Sequence, residues 1–312
     1  MNLVLHLLAL ATAFGGDSTE RAGSTRYPDI VFESAMSLSS RIHEASSQIL
    51  SNYRIKGLTN PKPHVLTPGE QTVVEKAFDI LPPLNGRVLT NHLASIFFIE
   101  DMPNGAATFP MQRANSLPLF GIAVDSKLLK QSASEWLTEK ERTCFSFTNS
   151  HASLRVDCGT NVSAFGYILL HESSHIVDFC ERLASDPVSG KPLEEEHSFS
   201  SGVWRDAHTP TALGQYRLRE QVRFYHFGKR IAADEAPEVY SSFMATPFAS
   251  LYGSTSTADD FAEFVTLWHI THVLNQPYKI EIARAGSRIL SIEPMTSSLR
   301  EARFSKIKRV YE

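Results

Sequence analysis

Cysteine is scarce in this chain, with three residues in 312, and that excludes a small scaffold stapled by disulfides. Glycine and proline stand at 16 each, too few for a collagen-like repeat. A hydrophobic fraction of 42% excludes a chain too polar to bury a core. Positive charge is not in excess: 30 Lys and Arg face 34 Asp and Glu, a net charge of -4. Phosphate binding needs a concentrated basic face, so nucleic acid is not an expected partner. The basic stretch Arg300, Arg303, Lys306, Lys308 and Arg309 falls in a terminal helix-like segment and reads as a solvated face. There is no internal repeat or low-complexity tract. No run is apolar for the roughly 20 residues that a membrane span needs.

What is present begins with MNLVLHLLALATAFGG, apolar from Leu3 to Phe14 and followed by Gly-Gly. Its length suits the apolar core of a secretory signal, and Ala11-Thr12-Ala13 offers a small-residue cleavage site. Residues 1–13 therefore read as a signal peptide, with a secreted or periplasmic destination, although no Lys or Arg follows Met1 and His6 interrupts the run. Cys144 and Cys158 flank polar turn material and can face each other across a hairpin, where export would make a disulfide sensible. Cys180 reads as a small buried apolar residue.

Residues 14–60 read as a helical N-terminal segment, either a pro-segment or a cap, because apolar positions from Ile30 to Tyr53 recur at helical spacing. Thr67-Pro68-Gly69-Glu70 supplies a cap, a first-turn proline and a capping-box glutamate for the next helix, which Pro82-Pro83 stops. Residues 94–100, 106–109, 117–124 and 154–158 read as strands, the second led in by a hairpin-type turn at Asn104-Gly105. A helix-like segment lies around 135–142. Residues 165–182 form a strongly apolar helix. Residues 183–215 are rich in Ser, Pro, Gly and Thr and read as an insertion. Helical material follows to about Met244, then a second apolar helix over 258–273, then a hairpin-like pair of strands and a short helix. Residues 61–312 thus read as one α+β domain.

The chemistry concentrates at His171-Glu172-Ser173-Ser174-His175, an HExxH pentapeptide inside an apolar helix. Side chains four apart share a helix face, so both imidazoles can bind one metal ion while Glu172 sits one step round. Zn²⁺ suits two neutral imidazoles and one carboxylate, leaving a fourth position for water. The ion lowers the pKa of that water toward about 7, and Glu172 can accept its proton during attack on a carbonyl. The third ligand must come from elsewhere. Tyr252 to Glu263 holds polar turn material and then a helix that Thr257 can cap, with Asp259 and Asp260 in its first turn. Asp259 and Glu263 share a face, so one can bind the metal while the other orients a ligand histidine. Asp260 lies off that face and reads as a cap. Asp178 reads as a structural carboxylate, and His269 and His272 as too far along their helix to be ligands.

HExxH followed by Tyr252, a Ser/Thr-rich turn and an acidic helix resembles the gluzincin metallopeptidases, in particular the catalytic core of anthrax lethal factor and its relatives, over roughly residues 165–270. The resemblance implies a zincin-like core, a small mixed sheet packed on the HExxH helix plus a helical lobe that carries the third zinc ligand. It also implies a zinc endopeptidase acting on protein or peptide, and a catalytic Tyr252 whose hydroxyl stabilises the tetrahedral intermediate. The family's third ligand is a glutamate at the start of the acidic helix. Here that position is Asp259, one methylene shorter, and Glu263 is the alternative. Enzymes of this group hold an extended peptide against an exposed sheet edge, and Ala106-Ala107-Thr108-Phe109 is the candidate strand. The competing reading is a binding or interaction protein that keeps the fold around a non-catalytic metal.

Overall fold

The computed structural model describes residues 30, 32–55, 60–102, 105–114, 117–225 and 228–312. The expected signal peptide lies outside them, as do residues 14–29, 31 and 56–59 of the expected helical N-terminal segment. In chain order the described elements are α1 (Ser47–Ile55), α2 (Pro68–Asp79), α3 (Pro83–His92), β1 (Leu93–Ile99), β2 (Ala106–Ala114), β3 (Leu117–Asp125), α4 (Ala133–Arg142), β4 (Phe145–Ser146), β5 (Ala152–Asp157), α5 (Ala164–Glu181), β6 (Ile231–Ala232), α6 (Ala236–Phe243), α7 (Thr257–Trp268), β7 (Lys279–Arg284), β8 (Ser287–Ile292), α8 (Ser298–Phe304) and α9 (Lys308–Tyr311). The architecture is mixed α+β, with small sheets among helices. No helix among the described residues is long and apolar enough to cross a membrane.

The capping box that opens α2 forms as its residues dictate. Thr67 Oγ1 accepts the Glu70 N–H at 3.3 Å, and Glu70 Oε2 accepts the Thr67 N–H at 2.9 Å, so two orphan donors are satisfied reciprocally. Pro83 does more than stop that helix, since it occupies the first turn of α3, where its missing N–H costs nothing.

The first sheet has the order β1-β3-β2, with β3 parallel to β1 and antiparallel to β2. The expected hairpin at Asn104-Gly105 is therefore corrected: β1 and β2 both pair with β3 and not with each other. Gly105 takes φ +78° and its carbonyl accepts the Asp125 N–H at 2.7 Å, while Asn104 lies outside the described residues. All of β1 is buried because both faces of the sheet are covered. Ile96, Phe98, Phe120 and Ile122 join the large core that includes α5. Phe97, Ile99, Leu119 and Ala123 pack with Ile49, Leu50 and Tyr53 on the other side.

The helix expected from Ile30 to Tyr53 is broken. A 3-10 turn covers Leu38–Arg41, Ile42 bridges to Ile96, and α1 begins at Ser47. Two long-range demands outweigh the local periodicity. The His43 N–H donates to Ile96 O at 3.1 Å, and the buried Arg41 guanidinium donates to Leu89 O and Leu93 O at 3.0 and 2.7 Å. Residues 62–64 cover the same edge, where the His64 N–H reaches Phe98 O and the Glu100 N–H reaches Lys62 O, each at 2.9 Å. The β1 edge is thus closed, and β2 is the outer strand on the other side of this sheet, with no strand paired beyond it among the described residues.

Three further expectations change. Cys144 and Cys158 are both buried and free, because β4 pairs with β6 and β5 with β7 rather than with each other. Burial pushes the Cys158 thiol up to about 12. Cys180 is half-buried, and free as well. The stretch from 216 to 235 carries 3-10 turns and a short strand, so helix resumes only at α6. The terminal basic stretch is not a solvated face throughout. Arg300 Nε donates to Phe248 O at 2.8 Å, and Arg303 forks onto Asp260 at 2.8 and 2.6 Å, both guanidinium groups being buried. Lys308 and Arg309 are exposed. The β7–β8 hairpin matches expectation and completes the β5-β7-β8 sheet, and two short helices, α8 and α9, follow where one was expected.

Candidate metal centre

Helix α5 starts where Ser163 Oγ accepts the Gly166 N–H at 3.0 Å, and Ile168, Leu169, Leu170, Ile176 and Val177 bury it in the core. It ends at Arg182, in the left-handed region. Asp178 closes that end: its Oδ1 accepts the backbone N–H groups of Leu183, Ala184 and Ser185 at 3.1, 2.6 and 3.3 Å. It is the structural carboxylate expected of it. The helix presents His171, Glu172 and His175 beside α7.

The cap of α7 is Ser256 rather than Thr257. Ser256 Oγ accepts the Asp259 N–H at 3.1 Å and donates to Asp259 Oδ2 at 2.6 Å. Thr257 is already the first residue inside the helix, and its N–H donates to Ala207 O at 2.9 Å, which ties the long insertion to the start of the helix. Asp260 is likewise not a cap. It is fully buried, held by Arg303 and by the Trp204 indole N–H at 2.7 Å.

With Oδ2 engaged by the cap, Asp259 turns Oδ1 toward the histidines, 3.9 Å from His171 Nε2 and 3.8 Å from His175 Nε2. The two Nε2 atoms are 3.1 Å apart. Ligand atoms of His171, His175 and Asp259 all lie within 4.8 Å of one another, so this group can hold a metal ion. Nitrogens bound at about 2.0–2.1 Å to a tetrahedral ion stand about 3.4 Å apart, close to the separation found. Two imidazole nitrogens and one carboxylate oxygen are a donor set that suits such an ion.

Glu263 takes the other side of His171. Its Oε1 lies 3.1 Å from His171 Nδ1, and it accepts from Lys140 Nζ at 2.9 Å and the Tyr167 hydroxyl at 3.0 Å. Its Oε2 accepts from Ser250 Oγ at 2.5 Å. Burial works against the Glu263 charge, but Lys140, His171 and Ser250 overcome it and hold the carboxyl far below its ordinary range. For His171, burial disfavours the charged form and Glu263 outweighs that, so its pKa is raised. The two acids left open by the spacing are thus separated by geometry, with Asp259 facing both Nε2 atoms and Glu263 facing Nδ1.

Set beside known proteins, the chain matches no family model, no curated protein and no solved structure. The site stands on its own geometry.

Glu172 points across to the first sheet, where Thr108 Oγ1 on β2 donates to its Oε2 at 2.6 Å. Half-buried Tyr252 places its ring 5.9 Å from that of His171. Burial and the nearby charge of Asp259 push its phenol well above the ordinary value, so it stays a donor. Several groups carry no sequence signal of their own. Lys140 and Ser250 reach the site from separate segments, and Tyr225 sets its ring edge-on to Tyr252 with centroids 6.1 Å apart, whereas Thr108 stands in the strand expected to hold substrate and Tyr167 lies one turn before His171 on α5. The one local hint at Tyr225 is its backbone, φ +56° in a non-glycine residue. His269 donates to Ile80 O at 2.7 Å and His272 stacks on Trp268 at 3.7 Å, so both stay away from the cluster, as expected.

Proposed function

We propose that this chain is a zinc-dependent endopeptidase with a zincin-like core. The observation that carries the reading is the convergence of His171, His175 and Asp259 within ligand distance, with Glu172 beside them and outside the donor set. A metal held only for structure has no use for a carboxylate in that place. Zinc suits two imidazoles and one carboxylate with a fourth position open, and when bound it supplies a Lewis acid that polarises a carbonyl and acidifies water.

The rest belongs to the chain's own side chains. Glu172 takes a proton from water as the water oxygen bonds to the peptide carbonyl carbon, and passes it to the leaving nitrogen as the C–N bond breaks. Thr108 steadies the carboxylate by Oε2, which takes one oxygen and leaves Oε1 for the proton. Tyr252, protonated, donates to the negative charge that develops on the carbonyl oxygen, where a preorganised donor gains most. As the outer strand of its sheet, β2 can pair through its backbone with an extended peptide, which adds as a further strand beside the base.

Zinc content and hydrolysis of an unfolded protein, measured on the wild type and Glu172→Gln, test this. Stoichiometric zinc is expected in both, with hydrolysis in the wild type reduced about 10²–10⁴-fold in the variant, the usual worth of general acid–base catalysis. A wild type that holds zinc and cleaves nothing would favour a binding protein with a non-catalytic metal.

A further inference from the structure

Taking an ammonium group out of water is costly, and a chain that does so holds the charge by specific partners. Lys140, in the last turn of α4, is 3% exposed. Its anionic partner among the described residues is Glu263, at 2.9 Å. Aromatic rings close the rest of its cage: Nζ lies 4.1 Å from the ring centroid of Tyr252, 5.1 Å from Trp136, 5.6 Å from Tyr167 and 5.9 Å from Phe224. Such contacts strengthen when desolvated. The two shortest lead into the metal centre by different routes. Glu263 stands behind His171 Nδ1 at 3.1 Å, and Tyr252 lies beside the ring of the same histidine.

We propose that Lys140 is a positioning residue of the metal centre, one buried charge that anchors the Glu263 carboxylate aimed at His171 and seats the ring of Tyr252. The inference rests on the reading of His171, His175 and Asp259 as a zinc site. An ion pair that serves stability alone gains little over an apolar pair of the same volume. A carboxylate that must keep its Oε1 beside a ligand imidazole needs a second, fixed partner for that oxygen, and Lys140 supplies it at 2.9 Å. Tyr167, which donates to the same oxygen and forms part of the cage, ties that partner to α5 itself.

The test compares zinc affinity, the visible spectrum of the Co²⁺-loaded protein and thermal stability in the wild type, Lys140→Met, Lys140→Gln, Glu263→Gln and the Lys140→Met/Glu263→Gln pair. Lys140→Met should weaken zinc binding about 10-fold, the low end of what loss of a partner of a metal-bound histidine costs, since Lys140 acts through Glu263, and should shift the cobalt spectrum. Lys140→Gln keeps a donor toward Glu263, so it should recover part of the affinity, and it serves if the methionine variant does not fold. The double variant should bind zinc no more weakly than Glu263→Gln, because both changes act through one carboxylate. A folded neutral variant at Lys140 with wild-type zinc affinity and an unmoved cobalt spectrum overturns the proposal, whatever its melting temperature. A wild type that binds no zinc overturns the site reading and this inference with it.

Discussion

Glu141 follows Lys140 in α4 and lies on the opposite side of the energetic balance. It is 1% exposed, and its carboxyl receives the Tyr240 hydroxyl. Burial pushes its pKa from 4.5 up to about 7, against the pull of Lys140 and Tyr240. In the unfolded chain the group ionises near its ordinary value, so between pH 4.5 and about 7 the folded state holds the extra proton. Stability from this group is therefore full below the lower value and is lost as pH rises through the upper one. The gap between them, at about 1.4 kcal/mol per pH unit, amounts to about 3 kcal/mol. Glu141→Gln keeps the shape and the acceptor for Tyr240 but cannot ionise. Urea unfolding of metal-free wild type and variant at about pH 4 and about pH 8.5 isolates the term, since metal binding brings its own pH dependence. The variant's stability relative to the wild type should rise by about 3 kcal/mol between the two conditions. Parallel pH profiles would refute the reasoning, because the proton would then be held equally in both states.

Asp259→Asn should lose zinc affinity sharply in a metal titration, a neutral amide being a poor ligand, while Glu263→Gln loses about 10–100-fold; the reverse order would make Glu263 the ligand. Thr108→Val should keep zinc and stability but lower the turnover number about 10-fold with little change in KM, and Thr108→Ser should restore it, since the hydroxyl acts through Glu172. Arg303→Met should cost about 3–5 kcal/mol in urea unfolding by stranding the buried Asp260 charge, and Asp260→Asn in the same chain should recover much of that.

The parts of this molecule that were legible in the sequence are those whose physics is local. HExxH places two imidazoles on one face by helical spacing alone, and the capping box at Thr67 closes within one turn. The parts that were not legible depend on partners far along the chain. Arg303 looks like surface because charged residues usually are, and nothing near it shows that Asp260, 43 residues earlier, is its partner. Lys140 and Glu263 are 123 residues apart, and Thr108 and Glu172 are 64. The Asn-Gly turn is a strong local signal for a hairpin, yet β3 inserts between the strands it would join, because the pairing across a buried sheet outweighs a turn preference. Periodicity likewise gave way around Arg41, where a buried guanidinium answers the carbonyls of Leu89 and Leu93.

The shorter acid at position 259 follows from where it stands on α7. It occupies the third residue after the Ser256 cap, where a carboxylate oxygen normally turns back to serve the helix start. Asp259 does this with Oδ2, which accepts from the hydroxyls of Ser256 at 2.6 Å and Thr255 at 3.3 Å. Only Oδ1 is then left for the histidines, and the short side chain holds it in a narrow range of positions. One turn later the longer Glu263 side chain brings its Oε1 to 3.1 Å from His171 Nδ1. Two acids on one helix face thus divide a single imidazole between them, one before each nitrogen. The division depends on their difference in length and on Lys140 and Ser250 gripping the second acid, so exchanging the two residue types should disturb both sides of His171 together.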